Sequence, residues 1–453
     1  MNDTTGASIR EEELVTLEQF RQQIYGCMKR GADAMFNVCD ALLCESQAQS
    51  LVELSLSAVF ERKWPSVYEA LSDGQIDVKR VREVVVKTLL ALMPQDEAIW
   101  MAVDATAIER ADAQTSKDRG YIHLSNLPLV DKPLSVGWQY SHVVLLPETP
   151  SSWVPPLDSR RIPTHQTPVE VAIEQLRALR PLLGNRRVIV MADRAYATPA
   201  FLRACHDLGY TCLVRLKSDR RLYRPGVRIH KYGPTPKDGA LFQGKRKETH
   251  PEPDAVWDGT DPKGRPMHVR RFGRLHFQED RSLPVQIIEV EREAAKGSKR
   301  DPRHSWFVTL DHSIPLQEVP MRYAGRFSEE HGFRFLKQDL LWTAVHVRTP
   351  EQFERWSWLV AIVMIELYLA RDLGQVLHRP WERQDRPVTP AQVRRMMPVI
   401  LGHLGTPARP CRPRGVSPGR PKGFRPTPAP RFPVVRKHPK KGKKPKLPLQ
   451  NSA

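Results

Sequence analysis

The stretch Tyr323-Ala-Gly-Arg326-Phe-Ser-Glu-Glu330-His-Gly-Phe-Arg-Phe-Leu-Lys337 carries an unusual set of side chains at helical spacing. In one continuous helix, at about 100° per residue, offsets of 3, 7 and 14 residues are close to whole turns. One helix face would then carry Tyr323, Arg326, Glu330 and Lys337. A single carboxylate among a phenol, a guanidinium and an ammonium group is unsuited to a hydrophobic core. It suits a metal ligand surrounded by groups that hold phosphate.

The charge of the whole chain points to a polyanionic partner. The 453 residues include 70 Lys and Arg against 51 Asp and Glu, which gives a formal net charge of +19. Such an excess favours nucleic acid or an anionic membrane surface as the partner. Residues 405–453 contain 14 Lys and Arg, 12 Pro and no Asp or Glu. This composition predicts a disordered basic tail.

Hydropathy argues against a membrane as that partner. The longest apolar run, residues 358–370, is interrupted by Glu366. It is shorter than the roughly 20 residues that span a bilayer, so it predicts a buried helix. The N-terminus lacks the pattern of a signal peptide, and the cysteines lack zinc-site spacing. We therefore expect a cytoplasmic protein with no membrane partner.

The two flanking parts of the chain predict helices. Residues 1–95 repeat apolar side chains at spacings of three and four, which predicts an all-α N-terminal domain. Short helices of this kind form helix-turn-helix units, and we interpret the domain as DNA-binding. A plain helical bundle or a dimerisation module is the alternative. Residues 376–404 predict a C-terminal helical segment.

The central part of the chain has the alternation of an α/β fold. Strands and helices alternate over residues 96–217 and 303–375, which predicts a mixed sheet with flanking helices. Residues 218–302 are rich in Pro, Gly, Arg and Lys, yet apolar runs persist there. They predict a β-rich insertion into this core.

Two aspartates follow continuous apolar strands. Residues 98–103 lead into Asp104, and residues 187–192 lead into Asp193. One such aspartate is usually a helix cap or a turn residue. In α/β sheets, however, functional groups gather at the carboxyl ends of strands. Together with Glu330 they offer three carboxylates from separate elements, the oxygen ligands that two Mg²⁺ ions prefer. The pattern predicts metal-assisted phosphodiester chemistry.

These features resemble a ribonuclease H-like DDE transposase. The resemblance rests on the strand order, both aspartates, the insertion and the helix with Glu330. The spacing Tyr-x2-Arg-x3-Glu-x6-Lys from position 323 to position 337 matches the YREK signature of bacterial insertion-sequence transposases that excise through hairpin ends. Asp104-Ala-Thr106 and Asp193-Arg-Ala-Tyr196 resemble the two aspartate motifs of that group.

The resemblance implies a role for each matching residue. Two Mg²⁺ ions, for which Mn²⁺ can substitute, would be bound by Asp104, Asp193 and Glu330. Phosphates near the transposon end would be contacted by Tyr323, Arg326 and Lys337. Trp306, on the strand before the signature, resembles an aromatic that stacks on a flipped base. An ordinary core tryptophan is the alternative for that position.

The family also implies partners and a location. The partners are double-stranded DNA, as transposon ends and as target, and a second copy of the chain in a synaptic homodimer. The location is the bacterial cytoplasm, in association with the nucleoid. Two other functions stay open: a ribonuclease H-like nuclease without strand transfer, and a DNA-binding derivative that has lost catalysis.

One position departs from the family pattern. Family members often carry an apolar residue before the catalytic glutamate, whereas Glu329 precedes Glu330 here. In a regular helix Glu329 lies about 100° from its neighbour and should leave the basic face. We therefore prefer Glu330 as the metal ligand, with Glu329 as its rival.

Overall fold

The computed structural model describes residues 11–436 apart from residues 125–132, 149–150, 229–233, 262–263, 293–303, 375, 377, 413–414 and 416–418. The N-terminal part is mainly helical, with a short two-stranded antiparallel ribbon. Its elements are α1 (Glu11–Cys27), β1 (Met28–Arg30), α2 (Ala32–Cys44), α3 (Leu51–Leu54), α4 (Pro65–Asp73), β2 (Gln75–Ile76) and α5 (Val78–Ala91).

In the described residues, the central part alternates strands with two α-helices and then continues mainly in strands, with short 3₁₀ helices at Arg180–Leu182 and Lys247–Thr249. The first group is β3 (Ile99–Glu109), β4 (Gly120–His123), β5 (Leu134–Leu145), β6 (Pro156–Ile162), α6 (Pro168–Leu179), β7 (Val188–Ala192), α7 (Pro199–Asp207) and β8 (Thr211–Leu216). The second group is β9 (Arg221–Pro225), β10 (Asp238–Gln243), β11 (Ala255–Thr260), β12 (Pro266–Phe277), β13 (Asp280–Arg292) and β14 (His304–Thr309).

Where the chain is described, five α-helices follow β14. They are α8 (Glu318–Gly325), α9 (Ser328–Gln338), α10 (Pro350–Leu369), α11 (Pro390–Arg394) and α12 (Met397–Leu404). The start of α10 is specified locally, because Thr349 and Gln352 form a reciprocal capping box around Pro350. No helix in the described part of the chain is long and apolar enough to cross a membrane.

One mixed sheet, with 12 strands among the described residues, organises the molecule. Its order is β10-β9-β12-β13-β14-β8-β7-β3-β5-β4, with β11 beside β12 and β6 beside β5. Strands β3, β7 and β8 run parallel to one another, and the other described strand pairs of this sheet are antiparallel. All five residues of β7 are buried, as expected for a central strand covered on both faces. The predicted α/β class with a ribonuclease H-like mixed sheet and flanking helices is confirmed.

The segment predicted as an insertion continues this same sheet. Strands β9 to β13 extend it beyond β14, which pairs with β8 of the central group. Strand β6 is a feature that the sequence did not predict. Its Asp158 is fully buried, because Arg82 of α5 and Arg160 pair with its carboxylate at 2.9 Å. Strand β6 is short and contains Asp158, Arg160 and Arg161, so it shows no apolar run that a hydropathy pattern would detect.

The basic tail is held against the sheet for part of its length. Residues 424–434 form neither helix nor strand, but the backbone N–H of Phe432 donates to Gln114 (2.9 Å) and that of Val435 to Arg119 (2.7 Å). Val435 also forms a parallel bridge with Gly120 at the start of β4. The tail is therefore held at Phe432 and Val435. The disorder predicted for residues 437–453 lies outside the described residues.

A buried ionic triad joins the N-terminal helices to the long helix α10. Arg21 of α1 donates to Glu366 of α10 at 2.5 Å and to Asp40 of α2 at 2.7 Å. All three side chains are at most 3% exposed. The triad explains why a glutamate interrupts the apolar run of α10: its charge is compensated by a guanidinium from another helix.

Replacing Arg21 by Met should destabilise the protein by about 3–5 kcal/mol, because it leaves Asp40 and Glu366 buried without a cation. Urea unfolding measures the change. The same replacement at Arg30, whose ion pair with Asp73 is about two-thirds exposed, serves as the control and should cost at most about 1 kcal/mol. Equal losses in the two variants would contradict a structural role for the triad.

Candidate active site

The two aspartates come together where the parallel pairing of β3 and β7 ends. Val103 lies opposite Ala192 in the last pair of this ladder, and Asp104 and Asp193 are the next residues of the two strands. The Oδ1 atom of Asp104 accepts from the N–H of Ala105, and that of Asp193 accepts from the N–H of Ala195, each at 2.8 Å. The two aspartates thus lie side by side where the β3–β7 ladder ends, within the middle of the sheet.

Asp104 does not end its strand, contrary to the prediction. Strand β3 continues to Glu109, because antiparallel pairing with β5 persists after β7 has ended. At Asp104, strand β3 is therefore paired with β5 on one side but no longer with β7 on the other. The sheet is open on the β7 side of this residue. Asp193 follows β7 directly, as predicted.

Burial and two neighbouring charges shift the pKa of Asp104 in opposite directions. Burial raises the pKa of its carboxyl group above the ordinary value, and the neighbouring charge of Asp193 raises it further. Arg326 acts in the opposite direction, because its Nη1 atom lies 3.2 Å from the Asp104 Oδ2 atom. Two carboxylates that repel each other and one cation that offsets them form the charge balance of the site.

The signature stretch is two helices and not one. Helix α8 ends at Gly325 and α9 begins at Ser328. At the junction with the first turn of α9, the N–H of Glu329 donates to the carbonyl oxygen of Arg326 and that of Glu330 donates to the carbonyl oxygen of Phe327, both with 3₁₀ spacing. A 3₁₀ turn has three residues per turn, so residues three apart are eclipsed. The prediction of a single regular helix is therefore wrong at this point.

The eclipsed turn brings Glu329 toward the basic residues. Its Oε2 atom lies 3.9 Å from the Arg326 Nη1 atom, and its side chain is 1% exposed. The expectation that Glu329 leaves the basic face is wrong, because it assumed regular α-helical rotation. Burial raises the pKa of Glu329 well above its ordinary value, and the charge of Asp104 adds to this effect.

Glu330 occupies a different position from its neighbour. It is exposed, and among the described residues its side chain has no hydrogen bond or ion pair. It lies seven residues, close to two turns, before Lys337 on α9. The Lys337 Nζ atom donates to the Thr106 Oγ1 atom at 2.7 Å. Since side chains two apart on a strand share a face, this side of α9 faces the side of β3 that carries Asp104.

Two other signature residues contact the edges of the two aspartate strands. The hydroxyl of Tyr323 donates to the carbonyl oxygen of Ala192 at 3.3 Å, one residue before Asp193. Lys337 also donates to the carbonyl oxygen of Ala107 at 3.2 Å, and burial lowers its pKa. The structure thus brings Tyr323, Arg326 and Lys337 to the same two strands as the aspartates.

The oxygen atoms at this edge fit a divalent cation. Asp104 and Asp193 supply hard carboxylate ligands, and both oxygens of the buried Glu329 have no hydrogen-bond partner among the described residues. Those residues nevertheless include no ready-made group of three or more ligands around one point.

Trp306 lies in a core and not at the site edge. It is 4% exposed and packs against Phe242, His250 and Phe272, with ring centroids 5.3–6.5 Å apart. Gly244 lies so close that a Cβ atom there would be 2.7 Å from the indole ring. The interpretation as a base-stacking residue does not fit this burial, and the alternative of a core tryptophan is the one that the structure favours.

Sequence patterns missed His142, which lies opposite Asp104 on β5. It is 1% exposed, and burial lowers its pKa to about 3, so the ring is neutral. Its edge contacts Phe333 of α9 and Trp342, at centroid distances of 5.1 and 4.9 Å. Only the strand register reveals this position, since nothing in the sequence pairs residue 142 with residue 104.

Comparison with known protein families places part of the chain in one of them. Residues 23–274, more than half of the chain, match the family of DDE superfamily endonucleases. The chain belongs to this family. The matched range includes Asp104 and Asp193 and ends before the signature stretch. None of the curated proteins compared with the chain matches it.

The family match confirms the coarse part of the predicted resemblance. The chain is a DDE transposase-like protein, and its family supports a nuclease-type or transposase-type function and implies a DNA substrate. Endonucleases of this superfamily generally depend on divalent metal ions. The YREK group, the insertion-sequence origin and the individual roles of the site residues stay predictions.

Replacing Trp306 by Ala should lower the free energy of unfolding by about 3–5 kcal/mol, because it opens a cavity in an aromatic core. Urea unfolding measures this. Trp381, which is 75% exposed, provides the control, and its replacement by Ala should change stability by less than about 0.5 kcal/mol. A Trp306→Ala protein of normal stability would restore the base-stacking interpretation.

Proposed function

We propose that this protein is the transposase of a bacterial insertion sequence, and that it cleaves DNA at the terminal inverted repeats and joins the ends to a target. The juxtaposition of Asp104 and Asp193 at the end of the β3–β7 ladder carries the proposal. The signature side chains Tyr323, Arg326 and Lys337 around them add support. Carboxylates bind metal ions, whereas basic and hydroxyl groups bind the phosphates of the DNA, and a phosphodiester-cleaving site needs both.

Asp104, Asp193 and Glu330 are the proposed metal ligands. The signature spacing favours Glu330, and its exposure leaves it accessible from solvent. The side of α9 that it shares with Lys337 faces the Asp104 side of β3, which agrees with this choice. Two Mg²⁺ ions bound there, or Mn²⁺ in their place, would activate the attacking water or 3′-hydroxyl and stabilise the leaving oxygen.

The basic and phenolic side chains are the proposed phosphate contacts. Arg326 can hold a phosphate bidentately, whereas Lys337 acts as a point charge. The hydroxyl of Tyr323 stays near Asp193 through its contact with Ala192. We also propose the hairpin pathway of the YREK group, a synaptic homodimer, DNA binding by the N-terminal helices, and a nucleoid location in the cytoplasm.

The amide variants Asp104→Asn, Asp193→Asn and Glu330→Gln should each reduce Mg²⁺-dependent cleavage by at least about a thousandfold, because each removes a metal-binding charge. The assay uses DNA carrying the element's inverted repeats and follows nicks, hairpins and joined products. Binding to the same DNA should persist in all three variants, as a mobility-shift assay would show.

Asp207→Asn is the matched control, because Asp207 is an exposed acid on α7, outside the site. It should cleave like the wild type. Full cleavage by Asp193→Asn would refute the assigned metal site. Cleavage without joined products in the wild type would instead favour the nuclease alternative.

The basic tail should strengthen DNA binding without specifying sequence. Removal of residues 437–453 deletes six lysines. If all six contact phosphates, the slope of log affinity against log salt becomes shallower by up to about 5. Fluorescence anisotropy at several salt concentrations measures the slope. A slope equal to that of the full chain would exclude the tail from the DNA contact.

A further inference from the structure

Glu329 is a buried carboxyl group that lacks a hydrogen-bond partner. Neither of its oxygens has a partner among the described residues, although the side chain is 1% exposed. The Arg326 Nη1 atom lies 3.9 Å from Oε2, which is too far for a hydrogen bond. Burial of a polar group without a hydrogen bond is costly, so this arrangement calls for an explanation.

The same guanidinium atom is engaged elsewhere. Arg326 Nη1 lies 3.2 Å from Oδ2 of Asp104, so it stands between two carboxylates and pairs with the nearer. The proposed metal site needs the oxygens of Asp104. A metal ion and the Arg326 guanidinium cannot both bind Oδ2 of Asp104, because they would occupy the same space and their positive charges repel each other.

We propose that Glu329 is a positioning residue that receives the Arg326 guanidinium when a divalent cation binds Asp104 and Asp193. The inference rests on the metal site of the proposed function. Arg326 leaves Oδ2 of Asp104 and closes the gap to Glu329 by about 1 Å, the difference between the separation of 3.9 Å and the length of a charge-assisted hydrogen bond. Asp104 is then free to act as a ligand, and Glu329 gains its partner.

Among the described residues, the small cavity beside Glu329 offers it no cation other than Arg326. The small cavity beside it is lined by His142, which is neutral, and by apolar or uncharged groups: Val144, Val154, Pro156, Gly332, Phe333, Leu336 and Met364. Helix α9 also cannot move easily toward this wall, because a Cβ atom on Gly332 would lie 2.1 Å from the Val154 side chain. Arg326 is therefore the group that moves.

The test compares Glu329→Gln with Glu330→Gln and the wild type. Mn²⁺ binding to the DNA-free protein is measured by calorimetry, and cleavage of inverted-repeat DNA is followed across a Mg²⁺ titration. In Glu329→Gln, Mn²⁺ affinity should fall about tenfold, the size of one charge-assisted hydrogen bond, and half-maximal cleavage should need about tenfold more Mg²⁺. The cleavage deficit should shrink as Mg²⁺ rises. Glu329→Asp should recover part of the affinity.

Glu330→Gln should instead show no cleavage at any Mg²⁺ concentration. An unchanged metal affinity and Mg²⁺ requirement in a folded Glu329→Gln protein overturns the inference. So does complete loss of cleavage in Glu329→Gln at all Mg²⁺ concentrations together with activity in Glu330→Gln, which would make Glu329 itself the third ligand. Failure of the proposed function looks different: the wild type would then neither bind Mn²⁺ nor cleave.

Discussion

Parallel hydrogen bonding between β3 and β7 stops after Val103 and Ala192, and the positions of the functional side chains follow from this end point. Because both strands carry an aspartate as the next residue, the ladder places two carboxylates side by side. Strand β3 then continues on β5 alone, so the sheet opens beside Asp104. Helices α8 and α9 lie over this opening through contacts of Tyr323 and Lys337 with the two strands.

Concentrating carboxylates at one edge opposes folding, because like charges repel and burial disfavours the ionised form. The protein offsets this with Arg326, which contacts Asp104 and approaches Glu329. Elsewhere Arg21 pairs with both Asp40 and Glu366 by short hydrogen bonds, although the second oxygen of Glu366 has no hydrogen-bond partner among the described residues. The candidate active site differs in degree, because neither oxygen of Glu329 has a hydrogen-bond partner there. An unsatisfied group of this kind is expected where function competes with stability.

Sequence patterns predicted the elements of the core well, because buried strands such as Val188–Ala192 are continuous apolar runs. They also identified Asp104 and Asp193 and associated Arg326 and Lys337 with them. They failed where a residue's surroundings came from distant parts of the chain. Trp306 looked like a possible binding residue until its aromatic neighbours from the inserted strands were known. Strand β6 and the docking of the tail escaped detection for the same reason.

The sequence by itself determined the class of fold, the acidic residues and the basic signature, because hydrophobic period and residue spacing are local properties. Only the tertiary structure decided how the two adjacent glutamates differ. A 3₁₀ turn of a few residues shifts the helical phase, which buries Glu329 against Arg326 and leaves Glu330 exposed. Such a shift depends on how α8 and α9 pack on the sheet, and a regular 100° rotation per residue cannot foresee it.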